Sequence, residues 1–319
     1  MSSRRGKIVR WMVWMMFLGV RMVSGQEDPQ LSQFMFSKLT YNPGFAGSNG
    51  GICVTGLNRQ QWVGFKGAPS TTIFQGEAFV KPFGLPSGVG LTFTSDKLGF
   101  ENNLSITGTY AYRLELGSGT LGIGLSLGLI NKSIDPTWEV PTSDYHTPPS
   151  GDPLIPDNKE SAMAFDMGLG LYYHSDEFYV GVSSTHLNAP VIKYTEGEPF
   201  IARHYYVVAG YNLRLPDPSF EILPAFFLQS DGKATQFSLN LNVLYNKKVW
   251  GGVSYRTGDA IVGMIGLQLM SGLRIGYAYD FQTSEIRNNT GGSHEVMVKY
   301  CFNLSLQREP KSYKSIRFL

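Results

Sequence analysis

Leu121-Gly122-Ile123-Gly124-Leu125-Ser126-Leu127-Gly128-Leu129 alternates without a break: each odd position is a large aliphatic and each even one Gly or Ser. Successive side chains of an extended strand point to opposite faces, so this run has one apolar face and one face of small groups. The same period recurs downstream. Phe237, Leu239, Leu241, Val243 and Tyr245 alternate with Ser238, Asn240, Asn242 and Leu244. Leu273, Ile275, Tyr277, Tyr279 and Phe281 alternate with Arg274, Gly276, Ala278, Asp280 and Gln282, and Val296, Val298, Tyr300 and Phe302 with Met297, Lys299 and Cys301. Each run is about nine or ten residues, the length that crosses a bilayer as a strand. Strands of soluble sheets are typically shorter. Long strands with aromatics at their ends predict an all-β transmembrane barrel, apolar outside and polar within.

Outward from these runs, about fourteen strands can be placed, an even number as a single-chain antiparallel barrel requires. They lie near 50–60, 71–81, 88–95, 102–116, 119–131, 163–174, 177–186, 201–214, 219–231, 235–246, 247–257, 260–271, 272–283 and 293–304. The connections alternate in character. Those at 61–70, 95–101, 132–162, 187–200 and 284–292 are longer, although 230–234 and 257–260 in the same set are short. Gly117-Ser118-Gly119, His174-Ser175-Asp176-Glu177, Asn246-Lys247-Lys248 and Ser271-Gly272 are tight and rich in turn formers. Outer-membrane barrels keep short turns in the periplasm and long loops outside, which predicts that both termini are periplasmic.

Composition agrees. Charged residues make up 16% of the chain, below the quarter or so of a soluble domain. At the N-terminus, Arg4, Arg5, Lys7 and Arg10 precede the apolar run Trp11 to Val20 and the small-residue site Val23-Ser24-Gly25. About ten apolar residues are too few to cross a bilayer, so this reads as a signal peptide cut after Gly25. The expected organisation is a signal peptide at 1–25, a periplasmic segment at 26–49, the barrel at 50–304 and a basic periplasmic tail at 305–319. No basic stripe with interleaved aromatics suggests nucleic acid.

Candidates for chemistry are few. Ser293, His294 and Glu295 are consecutive in a strand, so their side chains cannot converge. His146, His174, His186 and His204 are dispersed without metal-ligand spacing. Neither a catalytic residue, a cofactor nor a metal is expected. The long acidic loop Asp135 to Glu160, with Trp138, Tyr145 and His146, suggests a surface contact or a variable exterior loop. The lumen-phase charges Arg113, Glu115, Asp166, Arg256, Arg274, Asp280, Glu295 and Lys299 have mixed signs and suggest cross-lumen ion pairs. In a closed barrel the first strand meets the last. Cys53 and Cys301 then fall near one end of that seam on the lumen phase, as a disulfide or as free thiols.

Two further blocks carry a family resemblance. Asp28-Pro29-Gln30-Leu31-Ser32-Gln33-Phe34-Met35-Phe36 with Tyr41-Asn42-Pro43-Gly44-Phe45-Ala46-Gly47-Ser48, followed by Arg59-Gln60-Gln61-Trp62-Val63-Gly64-Phe65-Lys66-Gly67-Ala68-Pro69, resembles the PorP/SprF family of the type IX secretion and gliding machinery of Bacteroidetes. Gly292-Ser293-His294-Glu295-Val296-Met297 and Tyr300-Cys301-Phe302 resemble its last strand, although family chains tend to end nearer that strand than this one does. The resemblance implies a non-enzymatic outer-membrane protein. Its implied partners are periplasmic PorK/PorN-like ring components or a type IX-secreted surface adhesin. A porin-like channel for small solutes is the alternative. Asp28, Gln30, Phe34, Phe36, Tyr41, Asn42, Arg59, Gln60 and Trp62 are the candidate docking residues. An apolar segment such as 28–48 needs cover. It packs at the periplasmic mouth, plugs the lumen, or templates the first strand during insertion.

Overall fold

A computed structural model describes residues 28–135, 158–195, 197–269 and 272–302. The expected signal peptide at 1–25, the centre of the 135–160 loop and the tail 305–319 therefore lie outside the described residues.

Fourteen antiparallel strands close into a barrel. They are β1 (Ile52–Gln60), β2 (Ser70–Val80), β3 (Ser87–Leu98), β4 (Glu101–Leu116), β5 (Gly119–Ile134), β6 (Glu160–His174) and β7 (Phe178–Thr185). Then come β8 (His204–Tyr211, resumed as Leu213–Arg214), β9 (Phe220–Ser230), β10 (Thr235–Tyr245), β11 (Val249–Arg256), β12 (Ala260–Gln268), β13 (Leu273–Gln282) and β14 (Ser293–Phe302). Each strand pairs with its neighbours in sequence, and β1 pairs with β14 to shut the seam, with Cys53 opposite Cys301 and Arg59 opposite Glu295. Closure leaves no strand edge to face lipid, where an unpaired backbone group costs several kcal/mol.

The two faces are sorted as the alternation demands. Ile123, Leu125, Leu127 and Leu129 point outward, Leu129 at 54% exposed, while Ser126 and Ile130 are buried inside. On β10, Leu239, Leu241 and Val243 face outward and Ser238, Asn240 and Asn242 face the lumen. Among the described residues no helix is long and apolar enough to span a membrane; the strands make the apolar belt.

Two details differ from the sequence reading. Strand β3 runs on to Leu98 and β4 begins at Glu101, so 95–101 is a tight turn at Gly99-Phe100 rather than a longer loop. Strand β8 starts at His204, because 187–203 folds back toward the wall instead of extending the strand. There Asn188 continues the ladder of β6, accepting from Met167 N–H at 3.1 Å and donating to Phe165 O at 2.6 Å. Ile192 and Ile201 bury against Ile130. The turns 117–118, 175–177 and 246–248 mark one end of the barrel, here the short-turn end. The loops 61–69, 186–203 and 283–292 mark the long-loop end.

Candidate functional site

The lumen is filled by the protein's own N-terminal segment. Residues 28–49 form three single 3-10 turns, Phe34–Phe36, Lys38–Thr40 and Pro43–Phe45. No longer helix forms. Tyr41 ends the second turn and Asn42 begins the third: the Asn42 side chain accepts the Gly44 N–H at 2.9 Å and donates to the Leu171 carbonyl at 3.0 Å. Asn-Pro-Gly at 42–44 suits this role, since Asn caps and Pro fits the first turn position. Leu31, Phe34, Leu39, Tyr41, Phe45 and Ala46 are all buried within the barrel. Phe34 stacks on Phe227 with centroids 5.0 Å apart, and Phe45 meets Tyr172 edge-on. Of the placements expected for this segment, 28–49 therefore takes the lumen plug, and its assignment as a periplasmic segment is corrected. The reason is burial: the lumen wall supplies the cover its apolar side chains need.

The glycines of the alternating strands make room for it. A Cβ on Gly124 would lie 2.2 Å from the Pro43 carbonyl carbon, and one on Gly88 would lie 2.0 Å from Ala46 O. Gly122 and Gly124 of β5 lie against the plug backbone, whereas Gly128 lies against Ile106 and Thr107 of the wall.

Polar groups hold the plug at three levels. Uppermost, toward the long-loop end, Asp28 meets His186, with Oδ1 3.0 Å from Nε2. The other nitrogen of His186 lies 2.9 Å from Asp166 Oδ1. Thr185 and Tyr206 donate hydroxyl hydrogen bonds to the same Asp28 carboxylate.

Next comes a buried ionic cluster. Glu295 accepts the backbone N–H groups of Ser32 and Gln33, each at 2.7 Å. Arg59 donates to Ser32 Oγ at 2.7 Å and to Asp280 at 2.8 Å. Arg256 reaches Asp280 at 3.0 Å, Asp259 at 2.9 Å and Ser32 Oγ at 2.9 Å. Asp280 in turn accepts the Ser32 hydroxyl at 2.7 Å. Two guanidinium groups face three carboxylates, and every bond is charge-assisted, which is what makes such burial tolerable.

Nearest the short-turn end, Arg113 donates to Ala46 O at 3.0 Å, and Glu77 accepts the Gly47 N–H at 3.0 Å. Lys38 lies 3.4 Å from the Tyr179 ring centroid and donates to the Tyr172 hydroxyl at 3.0 Å. The rings receive its charge where water is scarce.

A sequence model described as the type IX secretion system membrane protein PorP/SprF matches residues 23–300. The chain belongs to the PorP/SprF family. It is accordingly a type IX secretion system membrane protein, in the outer membrane as a β-barrel. No curated protein matches it. Among solved structures, Acinetobacter baumannii Omp33 is 11% identical, with TM-score 0.45, 79% of this chain and 98% of that chain covered. The Ralstonia pickettii toluene transporter TbuX is 12% identical, with TM-score 0.48 and coverages of 84% and 93%. The monoaromatic hydrocarbon channel CymD is 12% identical, with TM-score 0.45 and coverages of 88% and 95%.

In this PorP/SprF barrel the nine candidate docking residues separate. Phe34, Tyr41, Asn42 and Arg59 are buried in the lumen and hold plug to wall. Asp28 is partly exposed at the upper end of the plug, where Gln30 is half-buried too, and Phe36 is half-buried near the short-turn mouth, packed on Trp250. Gln60 and Trp62 lie at the long-loop rim. As one contact surface the set is therefore corrected: its buried members are interior because the plug is. Cys53 and Cys301 are joined by a disulfide across the seam. Of the lumen-phase charges, Arg113, Asp166, Arg256, Asp280, Glu295 and Lys299 are buried inside, while Glu115 is exposed at the short-turn end. Several of their partners come from the plug and not only from across the lumen. Ser293 and Glu295 are buried in the lumen, and the intervening His294 makes a 2.7 Å hydrogen bond with the Tyr277 hydroxyl. The sequence reading missed that Asp28, His186 and His204 converge. The available signal was that positions 186 and 204 flank one long hairpin loop, whose base pairs Thr185 with His204.

Proposed function

We propose that this protein is a non-enzymatic outer-membrane anchor of the type IX system: a rigid post whose ends, and not its lumen, do the work. The observation that carries this reading is the plug, bound by buried ionic and hydrogen-bonded contacts around the inner wall. A barrel so filled suits holding a partner better than passing solutes.

In this reading the short-turn end faces the periplasm, as is usual for such barrels. The long-loop rim then faces outward and presents the exposed Val63 and Phe65 beside Trp62. That rim suits a secreted surface protein such as an adhesin. A periplasmic PorK/PorN-like ring component would instead meet the short-turn mouth, where Met35, Phe36, Lys38, Trp250 and Arg274 line a recess. The rim is the favoured site, because its apolar side chains are exposed whereas Trp250 is 3% exposed.

The test is mild-detergent purification of the tagged protein from its native outer membrane, with mass spectrometry of what accompanies it. A large secreted surface protein, lost on Phe65→Ser with Val63→Ser, is the expected result. Ring lipoproteins that survive those changes would move the contact to the short-turn mouth. A partner-free barrel with steady single-channel conductance would overturn the anchor and restore the porin-like channel.

A further inference from the structure

We propose that Asp28, His186 and His204 form a binding site for a divalent transition-metal ion that latches the upper end of the plug to the lumen wall. The three groups come from three places: the start of the plug, the residue after β7 and the first residue of β8. One donor atom from each lies within 4.8 Å of the other two.

Two imidazoles and a carboxylate are the ligand set of zinc sites with one position open to water or a fourth group. Tyr206, whose hydroxyl already donates to Asp28, adjoins the cluster. Nitrogen ligands favour zinc and its neighbours in the first transition row over calcium or magnesium, which take oxygen.

Three further features fit a metal site. Asp166 holds His186 Nδ1 at 2.9 Å and so turns Nε2 toward Asp28. A carboxylate behind a histidine is the usual outer partner of a ligating imidazole. His186 thus lies between two carboxylates, its Nδ1 held by Asp166 and its Nε2 aimed at Asp28, where an ion would sit between them. His204 is fully buried, with Nδ1 3.1 Å from the Ala202 carbonyl and 3.8 Å from Asp28 Oδ2, and with Nε2 lacking any hydrogen-bond partner. Access exists as well. A cavity of about 150 Å³ lined by Thr92, Thr107, Asn103, Asp166 and His186 borders the cluster on the long-loop side.

The inference is independent of which partner the barrel holds. The experiment uses the full-length processed protein in detergent, stripped with chelator and titrated with Zn²⁺ by calorimetry in two buffers of different ionisation enthalpy. The expected result is one saturable equivalent with proton release. Binding should be abolished by H186Q with H204Q, weakened roughly 10–100-fold by D166N, and unchanged by H294Q. X-ray absorption of the zinc-loaded wild type covers the case in which the variants do not fold, and two imidazoles in the metal shell support the site. No saturable binding, binding unchanged by H186Q with H204Q, or an all-oxygen shell would overturn it.

Discussion

Gly122 of the wall passes Gly44 of the plug so closely that a Cβ on Gly122 would lie 2.1 Å from the Gly44 carbonyl oxygen. The obstacle is backbone and not a flexible side-chain tip, so it cannot swing aside.

Gly122→Ala is therefore expected to destabilise the barrel by about 1–3 kcal/mol, the usual cost of overpacking. Gly76→Ala, with nothing near its added methyl, should be close to neutral. The check is the temperature at which each purified protein loses its folded, faster-migrating form on gels. Equal midpoints for the two variants would mean that the plug does not press on β5.

Glu295→Ala removes the acceptor of two plug N–H groups and a partner of buried Arg59. Breaking one side of a buried ionic cluster costs about 3–5 kcal/mol. The plug should loosen, and planar-bilayer recordings should show a conductance above that of the wild type. Conductance identical to wild type, in a folded variant, would show that the plug is held without this cluster.

The seam disulfide joins residues 248 apart and closes a loop that spans nearly the whole barrel. Replacing both cysteines, Cys53→Ser with Cys301→Ser, should leave strand pairing intact, because nine residues of β1 are in register with β14. Thermal stability should fall by an amount of the order of 2–4 kcal/mol. Reductant should lower the wild-type unfolding temperature and leave the double variant unmoved.

Position on the outer surface should decide the cost of charge. Leu127→Arg, mid-strand on the lipid face, is expected to cost about 2–4 kcal/mol in bilayer refolding, whereas Phe65→Arg at the rim should cost about 0–1 kcal/mol. Similar losses at both positions would contradict the assignment of the faces.

The wall was legible because lipid imposes a rule on every second residue. Leu121 to Leu129 obeys it, and so do 237–245 and 296–302, and strand number and pairing follow from counting. For the N-terminal segment the sequence left the mouth, the lumen and a templating role all open, and only the fold selects the lumen. Leu31, Phe34, Met35 and Lys38 suggest helical spacing, yet the segment takes up separate tight turns whose partners lie on strands far away in sequence. The glycines at 122 and 124 announced a small inner face but not what would lie on it. Asp28, His186 and His204 stayed apart for the same reason. Their meeting depends on how far up the lumen the plug reaches, and no local pattern carries that distance.

Ser32 and Gln33 hold the carboxylate of Glu295 on β14, while the Ser32 hydroxyl receives Arg59 from β1. These two strands are the ends of the sheet, remote from each other along the chain and paired only once the circle closes. A short peptide that precedes them both grips one from each side. In the closed barrel the segment is thus a clasp on the inside of the seam, joining the two closing strands a second time beside their backbone ladder.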